Sequence, residues 1–374
     1  MKSNFFRTVT VIVVLWSWLF GSSALAASPS PALVKAKKEA EAKGFIFETS
    51  RDEIVAKAKK EGKLRVTASI EPSTARATTA ALRKKYPFMD IDVQESKGTE
   101  GVQRLLLEIK SGAAKEWDVI HVLADFYGEY TPYLWKVDLL GMAKHGALQI
   151  PPAMIDARNG NVLAVSTQMQ VTAYNAGLVP ADLLPKTWED LLRPEFKGRK
   201  FAVDIRPKDI AGLVPAWGLE KTLNFARKIA AQQPIWVRGS LRTLVPVMTG
   251  EIPMIMGPNI ASVREIQKKD RTGVLQYVIL EPVPVRLGHL QAILATSQHP
   301  HAALLWLEWL ASPEAQRLND EHEPFSSSAH VPGGMVEQAL RGKKLSVVGW
   351  EQQQDIEQWT KKIVEAYGFP RAEK

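Results

Sequence analysis

The chain has 374 residues, of which 45% are hydrophobic and 24% charged, and it contains no cysteine. This composition excludes disordered, collagen-like and disulfide-stapled proteins, and the length favours two lobes over one core. The 48 basic and 40 acidic residues leave a net charge of +8 that is spread along the chain, which gives little support for nucleic-acid binding.

The first 26 residues have the pattern of a secretory signal peptide. Lys2 and Arg7 precede an apolar run from Val9 to Phe20, and Ala24-Leu25-Ala26 offers a small-residue cleavage site. The run is short for a membrane span, and a chain without cysteine cannot be lipidated on sulfur. We therefore predict that residues 1–26 are removed and that the product is free in the periplasm of a Gram-negative cell.

Two helices are predicted next, followed by an alternation of strands and helices. Residues 31–43 read as an exposed helix, and Ser50 has capping-box spacing with Glu53 at the start of a second helix that ends near Gly62. Further on, the patterns predict strands at 64–68, 89–93 and 117–122, with helices at 72–86 and from Thr99, a predicted N-cap, to Gly112. The alternation favours an α/β architecture.

A comparable series follows in the second half of the chain. Strands are predicted near 200–205, 252–256 and 274–280, and helices near 218–232, 240–250, 302–310, 335–340 and 350–367. Pro246 interrupts the helical pattern of 240–250, so a kink or a shorter helix is expected there. No repeat of fixed period is visible in the sequence.

Several short motifs resemble those of type II periplasmic solute-binding proteins of ABC importers, in the branch of ferric, thiamine and sugar-phosphate binders. The resemblance covers roughly residues 54–328, in family order. It rests on Ala58 to Leu64, Trp117-Asp118-Val119 with Asp125, Tyr174-Asn175, Thr187 to Leu192 with Pro194 and Lys197-Gly198, Gly250-Glu251, and Ser312 to Gln316.

The resemblance implies two α/β lobes, each with a mixed central sheet flanked by helices, joined by a two-segment hinge. We place the hinge segments near 165–174 and 283–293. The implied division is a helical extension at 27–61, a first lobe at 62–168 plus about 285–330, and a second lobe at 169–284 plus about 331–374 with the C-terminal helices. In such proteins, ligand binding in the cleft stabilises a closed form that a membrane permease recognises. The resemblance therefore implies a monomeric binding protein without cofactor or catalytic activity.

In this architecture, loops at strand ends and helix N-termini line the cleft, and helix N-termini favour anions. Arginines and hydroxyl groups at these loops suggest a small anionic solute, such as an organic acid or a phosphate ester. The candidate ligand contacts are Ser69, Thr74, Arg76, Thr99, Asp125, Tyr127, Arg206, Lys208, Arg238, Ser240 and Asn259.

Three alternatives stay open. A ferric-binding member would present adjacent tyrosines after Gly250-Glu251, and this sequence has none there. Tyr127, Tyr130 and Tyr133 recur at helical spacing and could supply phenolates instead. His121 is a candidate lining residue of the cleft. An exported hydrolase or lyase would carry a catalytic motif, and none of the common ones is found. A periplasmic sensor domain would share the fold and differ only in its partner.

Overall fold

The computed structural model describes residues 30–96 and 98–369, apart from the side chains of residues 98–100 and 125. The predicted signal peptide lies outside the described residues. Ten strands are described: β1 (Lys63–Ala68), β2 (Asp90–Glu95), β3 (Val119–Val122), β4 (Val162–Asn175), β5 (Ala202–Asp204), β6 (Ile235–Val237), β7 (Met254–Asn259), β8 (Leu275–Val278), β9 (Val283–Ile293) and β10 (Leu345–Val348).

The helices of the first half are α1 (Pro31–Ala42), α2 (Arg51–Glu61), α3 (Pro72–Lys85), α4 (Gly98–Lys110), α5 (Tyr127–Tyr130) and α6 (Leu139–Lys144). Those of the second half are α7 (Lys208–Ala211), α8 (Val214–Trp217), α9 (Leu219–Ala231), α10 (Ser240–Thr249), α11 (Ile260–Gln267), α12 (Pro300–Leu310), α13 (Pro313–His322), α14 (Met335–Leu340) and α15 (Ile356–Ala366).

Two sheets of the same topology form the two lobes. In the first lobe the strand order is β2-β1-β3-β9-β4, with β1 parallel to β2 and β3, and β9 antiparallel to β3 and β4. In the second lobe β5 is parallel to β6 and β7, and β4 is antiparallel to β7 and β8. Each lobe therefore has three parallel strands beside one antiparallel strand that comes from the other half of the chain.

Strands β4 and β9 are the hinge, because they belong to both lobes. They pair antiparallel from Val162 opposite Ala292 to Met169 opposite Val285, after which β4 continues between β7 and β8. The two hinge segments predicted from sequence fall within these strands. Their residues are mostly buried, as expected for strands that cross the middle of a molecule.

The N-terminal helices pack on the first lobe. Leu33 of α1 and Ile54 of α2 belong to the same apolar cluster as the buried helix α12. His301 of α12 lies 2.7 Å from Glu61 and 3.0 Å from Glu48. Although burial opposes it, these hydrogen bonds raise the pKa of His301 to about 9. The segment that we treated as an extension is thus fixed to the lobe by apolar packing and by charged hydrogen bonds.

The C-terminal segment touches both lobes. Strand β10 pairs parallel with β9 over residues 283–286, at the second-lobe end of the hinge. Trp350 packs against an apolar cluster of the first lobe, whereas Ile356 and Ile363 of α15 lie in the core of the second. This segment is a third connection between the lobes, in addition to the two hinge strands.

Helix α10 continues through Pro246 as far as Thr249, so the proline does not shorten it, and Leu244 and Val247 pack in the core of the second lobe. One local expectation differs from the structure. Helix α4 begins at Gly98, so Thr99 lies within the helix and not at its N-cap. In the part of the chain that the structure describes, no helix combines the length and the apolar character needed to cross a bilayer.

Candidate functional site

The hinge places the ends of the parallel strands of the two lobes face to face. The carboxyl end of β3 lies beside Leu290, which pairs with Ala164 of β4, and the carboxyl end of β7 at Asn259 pairs with Gln170. Ala164 and Gln170, which mark these two strand ends on β4, are six residues apart, a distance of roughly 20 Å along the strand. Because β3 and β7 point toward each other along the hinge, the loops that follow the parallel strands meet in a cleft between the lobes.

One cavity of about 460 Å³ lies in this cleft, and we call it the Ser73 cavity. The first lobe contributes Glu71 and Ser73, at the start of α3, to its lining. The second lobe contributes Asn259 and Ser262, at the start of α11. Further lining residues come from the hinge and from the loop after α13, among them Ser166, Thr167, Gln168, His289, Glu323 and Ser326, and others from the rest of α11 and the residues just after it.

Two helix N-termini from opposite lobes therefore open on the same cavity. No side chain caps α3, whose first turn contains Pro72 and Ser73. The hydroxyl of Thr74, in the same turn, is buried and meets no hydrogen-bond partner in the described part of the chain. At α11 the side chain of Asn259 accepts a hydrogen bond from the amide of Ala261. The uncapped amides of α3 give this end of the cavity a positive partial charge.

Charged side chains around the Ser73 cavity have both signs. Lys268 and Lys269 lie on one side, and Glu71, Glu265 and Glu323 also contribute to the lining. Glu323 is engaged, because its Oε1 accepts a hydrogen bond of 2.9 Å from the amide of Glu71. Any preference for an anion here consequently comes from the helix N-termini more than from an excess of basic side chains.

Two histidines at the hinge are held neutral. Burial, together with a smaller effect of the nearby His289, lowers the pKa of His121 to about 4. Burial also lowers the pKa of His289, whose backbone has a φ of 47°, an uncommon conformation for a residue other than glycine. Near neutral pH both imidazoles are hydrogen-bonding groups without charge. The Oε1 atom of Gln168, another group of the cavity wall, is shielded from solvent and has no partner among the described residues.

The start of α10, where Arg238 and Ser240 were predicted to bind an anion, already holds a carboxylate. Asp204 Oδ2 accepts hydrogen bonds from the amides of Gly239 at 3.0 Å and Ser240 at 2.9 Å. Arg206 is exposed, and its Nε lies 3.6 Å from Asp204 Oδ1. A solute anion at this position would have to compete with Asp204.

Beside Asp204 lies a carboxyl group that sequence reasoning did not single out. Asp209 is 5% exposed, and its Oδ2 meets no hydrogen-bond partner among the described residues. A β-carbon at Gly257 would lie 2.0 Å from that oxygen, so only glycine fits there. Burial, together with the charge of Asp204, raises the pKa of Asp209 to about 7. Arg286 of the hinge lowers this pKa, but not enough to cancel the effect of burial.

A second cavity of about 700 Å³, the Trp350 cavity, also lies between the lobes. Tyr127 and Arg158 line it from the first lobe, and Lys208 and Ile356 from the second. Trp350 lies beside Tyr127, with ring centroids 6.3 Å apart. Two of the predicted ligand contacts, Tyr127 and Lys208, are thus brought together here, apart from the Ser73 cavity.

The tyrosines of this region do not form a phenolate cluster. The hydroxyl of Tyr127 donates a hydrogen bond to Asp156, and burial raises the pKa of Tyr127 well above its usual range. Tyr130 is packed in the core, and burial raises its pKa to about 12. Within the described residues, no group of three or more histidines, aspartates or glutamates is arranged to hold a metal ion.

The other predicted contacts are dispersed. Ser69 lines a water-sized cavity of about 10 Å³ beside His289. Arg76 lies in an open groove between α3 and β2, outside both interlobe cavities. Arg238 is exposed at the end of β6. The side chains of Thr99 and Asp125 lie outside the described part of the structure.

Sequence reasoning missed His289, Arg286 and Trp350. Arg286 is the single arginine of the return hinge segment, a signal that was available once that segment had been recognised. His289 and Trp350 carried no such signal, because their positions depend on strand pairing and on the path of the C-terminal segment.

Comparison with known proteins gives one family and a set of structural neighbours. The family model of bacterial extracellular solute-binding proteins matches residues 77–324. No curated protein matches the chain.

The structural neighbours are similar in fold and distant in sequence. Iron-bound HitA from Pseudomonas aeruginosa is 17% identical with a TM-score of 0.57, covering 80% of this chain and 99% of its own. IdiA (FutA) from Trichodesmium, in complex with iron and citrate, is 17% identical with a TM-score of 0.64, covering 82% and 99%. The open form of ferric iron-binding protein A from Mannheimia haemolytica is 18% identical with a TM-score of 0.63, covering 82% and 98%.

Proposed function

Because the chain belongs to the bacterial extracellular solute-binding protein family, we propose that it captures a small organic anion in the Ser73 cavity and delivers it to a membrane permease. The observation that carries this proposal is the pair of helix N-termini, one from each lobe, at a single cavity. A carboxylate placed there receives amide hydrogen bonds from α3 and is favoured by the dipoles of both helices.

The remaining lining favours a solute with few charges and several hydrogen-bonding groups. Hydroxyl and amide side chains dominate the wall, and the lysines are accompanied by carboxylates. A phosphate ester with two negative charges would have to approach Glu71 and Glu265 without a matching excess of cations. A hydroxylated or otherwise polar monocarboxylate fits this lining better.

Closure follows from contacts with both lobes. A solute that touches Ser73 on one side and Ser262 on the other gains its full set of contacts only when the lobes approach. Binding therefore shifts the population toward the closed form by the difference in affinity between the two forms. A permease that recognises the closed form would then receive only loaded protein.

Iron is the second candidate, because the structural neighbours include iron-bound proteins. The described residues contain no acid or histidine cluster of the required kind, and the phenol of Tyr127 is held protonated by burial. Ferric ion with and without citrate consequently belongs in the binding panel as the rival ligand.

The test is calorimetric titration with a panel of monocarboxylates, phosphate esters and ferric citrate, on the protein and on two variants at one position. Ser73→Asp places a carboxylate in the first turn of α3, where it satisfies the free amides and repels an anion. Ser73→Asn has a similar volume without the charge. We expect Ser73→Asp to weaken anion binding by about 1.5 to 3 kcal/mol and Ser73→Asn to change it much less.

Arg76→Ala is the matched control, because Arg76 lies on the same helix and outside the cavity. Equal affinities in the Ser73→Asp and Ser73→Asn proteins would exclude the N-terminus of α3 as the anion site. Binding of ferric ion alone, with no carboxylate bound, would replace the proposal with its rival.

A further inference from the structure

The Trp350 cavity is built in part by residues beyond the family match, which ends at residue 324. The segment after β10 contributes Trp350, Gln353 and Ile356, and the first lobe contributes Phe126 and Tyr127. The volume of about 700 Å³ is within the range of small-molecule sites. The cavity is therefore large enough for a ligand, and it is a feature of this chain and not of the matched region alone.

The carboxylates of the described lining are either engaged or exposed to water. Asp156 accepts four hydrogen bonds, one of them from the hydroxyl of Tyr127. Glu129 forms an ion pair with Lys110, which lies outside the lining. Glu357, on α15, is exposed. A cationic ligand would therefore meet no buried carboxylate that lacks a partner among the described lining residues.

The cations of the lining are engaged as well. Arg158 donates a hydrogen bond of 3.0 Å to Gln354 of the C-terminal segment, and Lys208 has an interaction partner of its own. With two cations beside three carboxylates, the described lining has no excess of positive charge for an anion. A charged ligand loses hydration in a cavity and needs an opposite charge to offset that loss. An uncharged ligand is consequently favoured here.

The wall of the cavity presents an aromatic corner. The rings of Tyr127 and Trp350 are 6.3 Å apart and inclined at 56°, and Phe126 also contributes to the lining. A third ring can lie against one of them and meet the other at its edge, at the centroid distances of about 4.5 to 7 Å that aromatic groups prefer. The corner thus selects for an aromatic ring over an aliphatic one of the same size.

Two polar atoms of the lining have no hydrogen-bond partner in the described chain. They are Nε1 of Trp350, a donor, and Oε1 of Gln353, an acceptor, and both are shielded from solvent. The last torsion of a glutamine side chain is soft, so the amide of Gln353 can turn toward a ligand without movement of the backbone. A hydroxyl group both donates and accepts, so it can satisfy either atom.

We infer that the Trp350 cavity is a second ligand site, separate from the Ser73 cavity, and that it binds a small uncharged aromatic compound with a hydroxyl group. The ring packs in the corner of Tyr127 and Trp350, and the hydroxyl donates a hydrogen bond to Gln353. The inference is independent of the proposed function, because the two cavities share no lining residue.

The test uses four probes of similar size, titrated by calorimetry into the full mature protein and into its Ser73→Asp variant. 2-Phenylethanol has the ring and the hydroxyl, and 2-cyclohexylethanol has the hydroxyl without the aromatic ring. Phenylacetate and 2-phenylethylamine keep the aromatic ring and carry a negative and a positive charge. In Ser73→Asp the proposed anion site is closed to carboxylates, so that phenylacetate reports on the Trp350 cavity alone.

We expect 2-phenylethanol to bind the Ser73→Asp protein about tenfold more tightly than each of the other three probes, because they lack the aromatic contact or bring a charge without a counterion. Equal affinity for 2-cyclohexylethanol would show that the aromatic corner is not used. Equal or tighter binding of phenylacetate or 2-phenylethylamine would show that the cavity accepts a charge. Either result, or no binding of 2-phenylethanol, overturns the inference.

Variants of the aromatic wall locate the site. Trp350→Ala should weaken the binding of 2-phenylethanol about tenfold, and Trp350→Phe, which keeps a ring, should weaken it much less. Trp359→Phe is the control, because Trp359 packs in the second lobe away from the cavity. Unchanged affinity in a folded Trp350→Ala protein contradicts the assignment.

A variant of the polar wall keeps the test decisive if Trp350→Ala does not fold. Gln353→Met retains a similar shape and removes the hydrogen bond, so 2-phenylethanol should bind about three- to tenfold more weakly. Gln358→Met is the matched control, because Gln358 is exposed on α15 and does not line the cavity. Equal affinities in these two variants would exclude Gln353 as the group that meets the hydroxyl, and the inference would be withdrawn.

The comparison with Ser73→Asp also separates this inference from the proposed function. The variant should bind 2-phenylethanol as the unmodified protein does, while its binding of aliphatic carboxylates is weakened. Loss of 2-phenylethanol binding in Ser73→Asp would place the aromatic compound in the Ser73 cavity and remove the second site. Absence of aliphatic anion binding in the unmodified protein, with 2-phenylethanol still bound, would remove the proposed function and leave this site.

Discussion

At the scale of single residues, burial decides which side chains carry charge. His121 and His289 are kept neutral at the hinge, whereas His301 is kept charged by two carboxylates although it too is partly buried. Asp209 is the opposite case, a carboxyl group whose burial outweighs the effect of the positive charge of Arg286. Histidine side chains are thus neutral beside the cleft and charged in the body of the first lobe, because their surroundings differ.

Asp209 makes the stability of the protein depend on pH. Its pKa is about 7 in the folded protein and near 3.8 when exposed, so the folded state binds the proton more tightly. The stabilisation is present at pH values below about 4, declines between 4 and 7 and is absent above 7, at up to about 1.4 kcal/mol per pH unit. We expect Asp209→Asn to remove this decline from the melting temperatures measured by calorimetry between pH 4.5 and 7.5. If the melting temperatures of the two proteins changed with pH in the same way, the raised pKa that we attribute to the burial of Asp209 would be contradicted.

At the scale of elements, the two hinge strands leave no room for a side chain at Gly288. Gly288 of β9 pairs with Ser166 of β4, and a β-carbon at Gly288 would lie 2.7 Å from Ser166 Oγ and 2.9 Å from Gln168 Cγ. The two hinge strands can pair closely because this position lacks a side chain. By contrast, Gly101 on α4 has no atom within 4 Å of the corresponding position.

We expect Gly288→Ala to destabilise the protein by about 1 to 3 kcal/mol, the usual cost of overpacking. Gly101→Ala is the matched control, and it should leave stability unchanged or raise it by up to about 1 kcal/mol, because alanine is the better helix former. Urea denaturation of both variants measures the difference. Equal midpoints would mean that the hinge strands separate easily at this position.

At the scale of the whole molecule, two lobes of the same topology are joined by two strands and by the C-terminal segment. The cleft lies between them and its walls come from both lobes, so the proposed function would couple ligand binding to lobe closure. The C-terminal segment adds a third connection, because Trp350 packs on the first lobe and α15 on the second.

Closure can be measured directly because the chain has no cysteine. Lys84→Cys on α3 and Arg227→Cys on α9 introduce two labelling sites at exposed positions, one on each lobe. We expect energy transfer between two dyes to change with the concentration of the bound carboxylate and to saturate with it. A ligand at about 100 times its dissociation constant should also stabilise the protein by roughly 2.7 kcal/mol. Tight binding without any change in transfer would show that the lobes do not move.

The sequence by itself determined the class of the protein. Periodicity and capping predicted most strands and helices, since these signals are local, as with Ser50 at the start of α2 and Gly62 at its end. Motif order identified the family, and the extended segments at 165–174 and 283–293 identified the hinge. Only the tertiary structure decided which residues line the cleft, because a cleft is formed by residues far apart in the chain. Asp204 occupies the amides predicted for a ligand, Arg76 lies outside the cavities, and Trp350 reaches the first lobe from the C-terminal segment. The physical reason is that secondary structure depends on neighbours along the chain, whereas burial, charge compensation and cavity walls depend on how the elements pack.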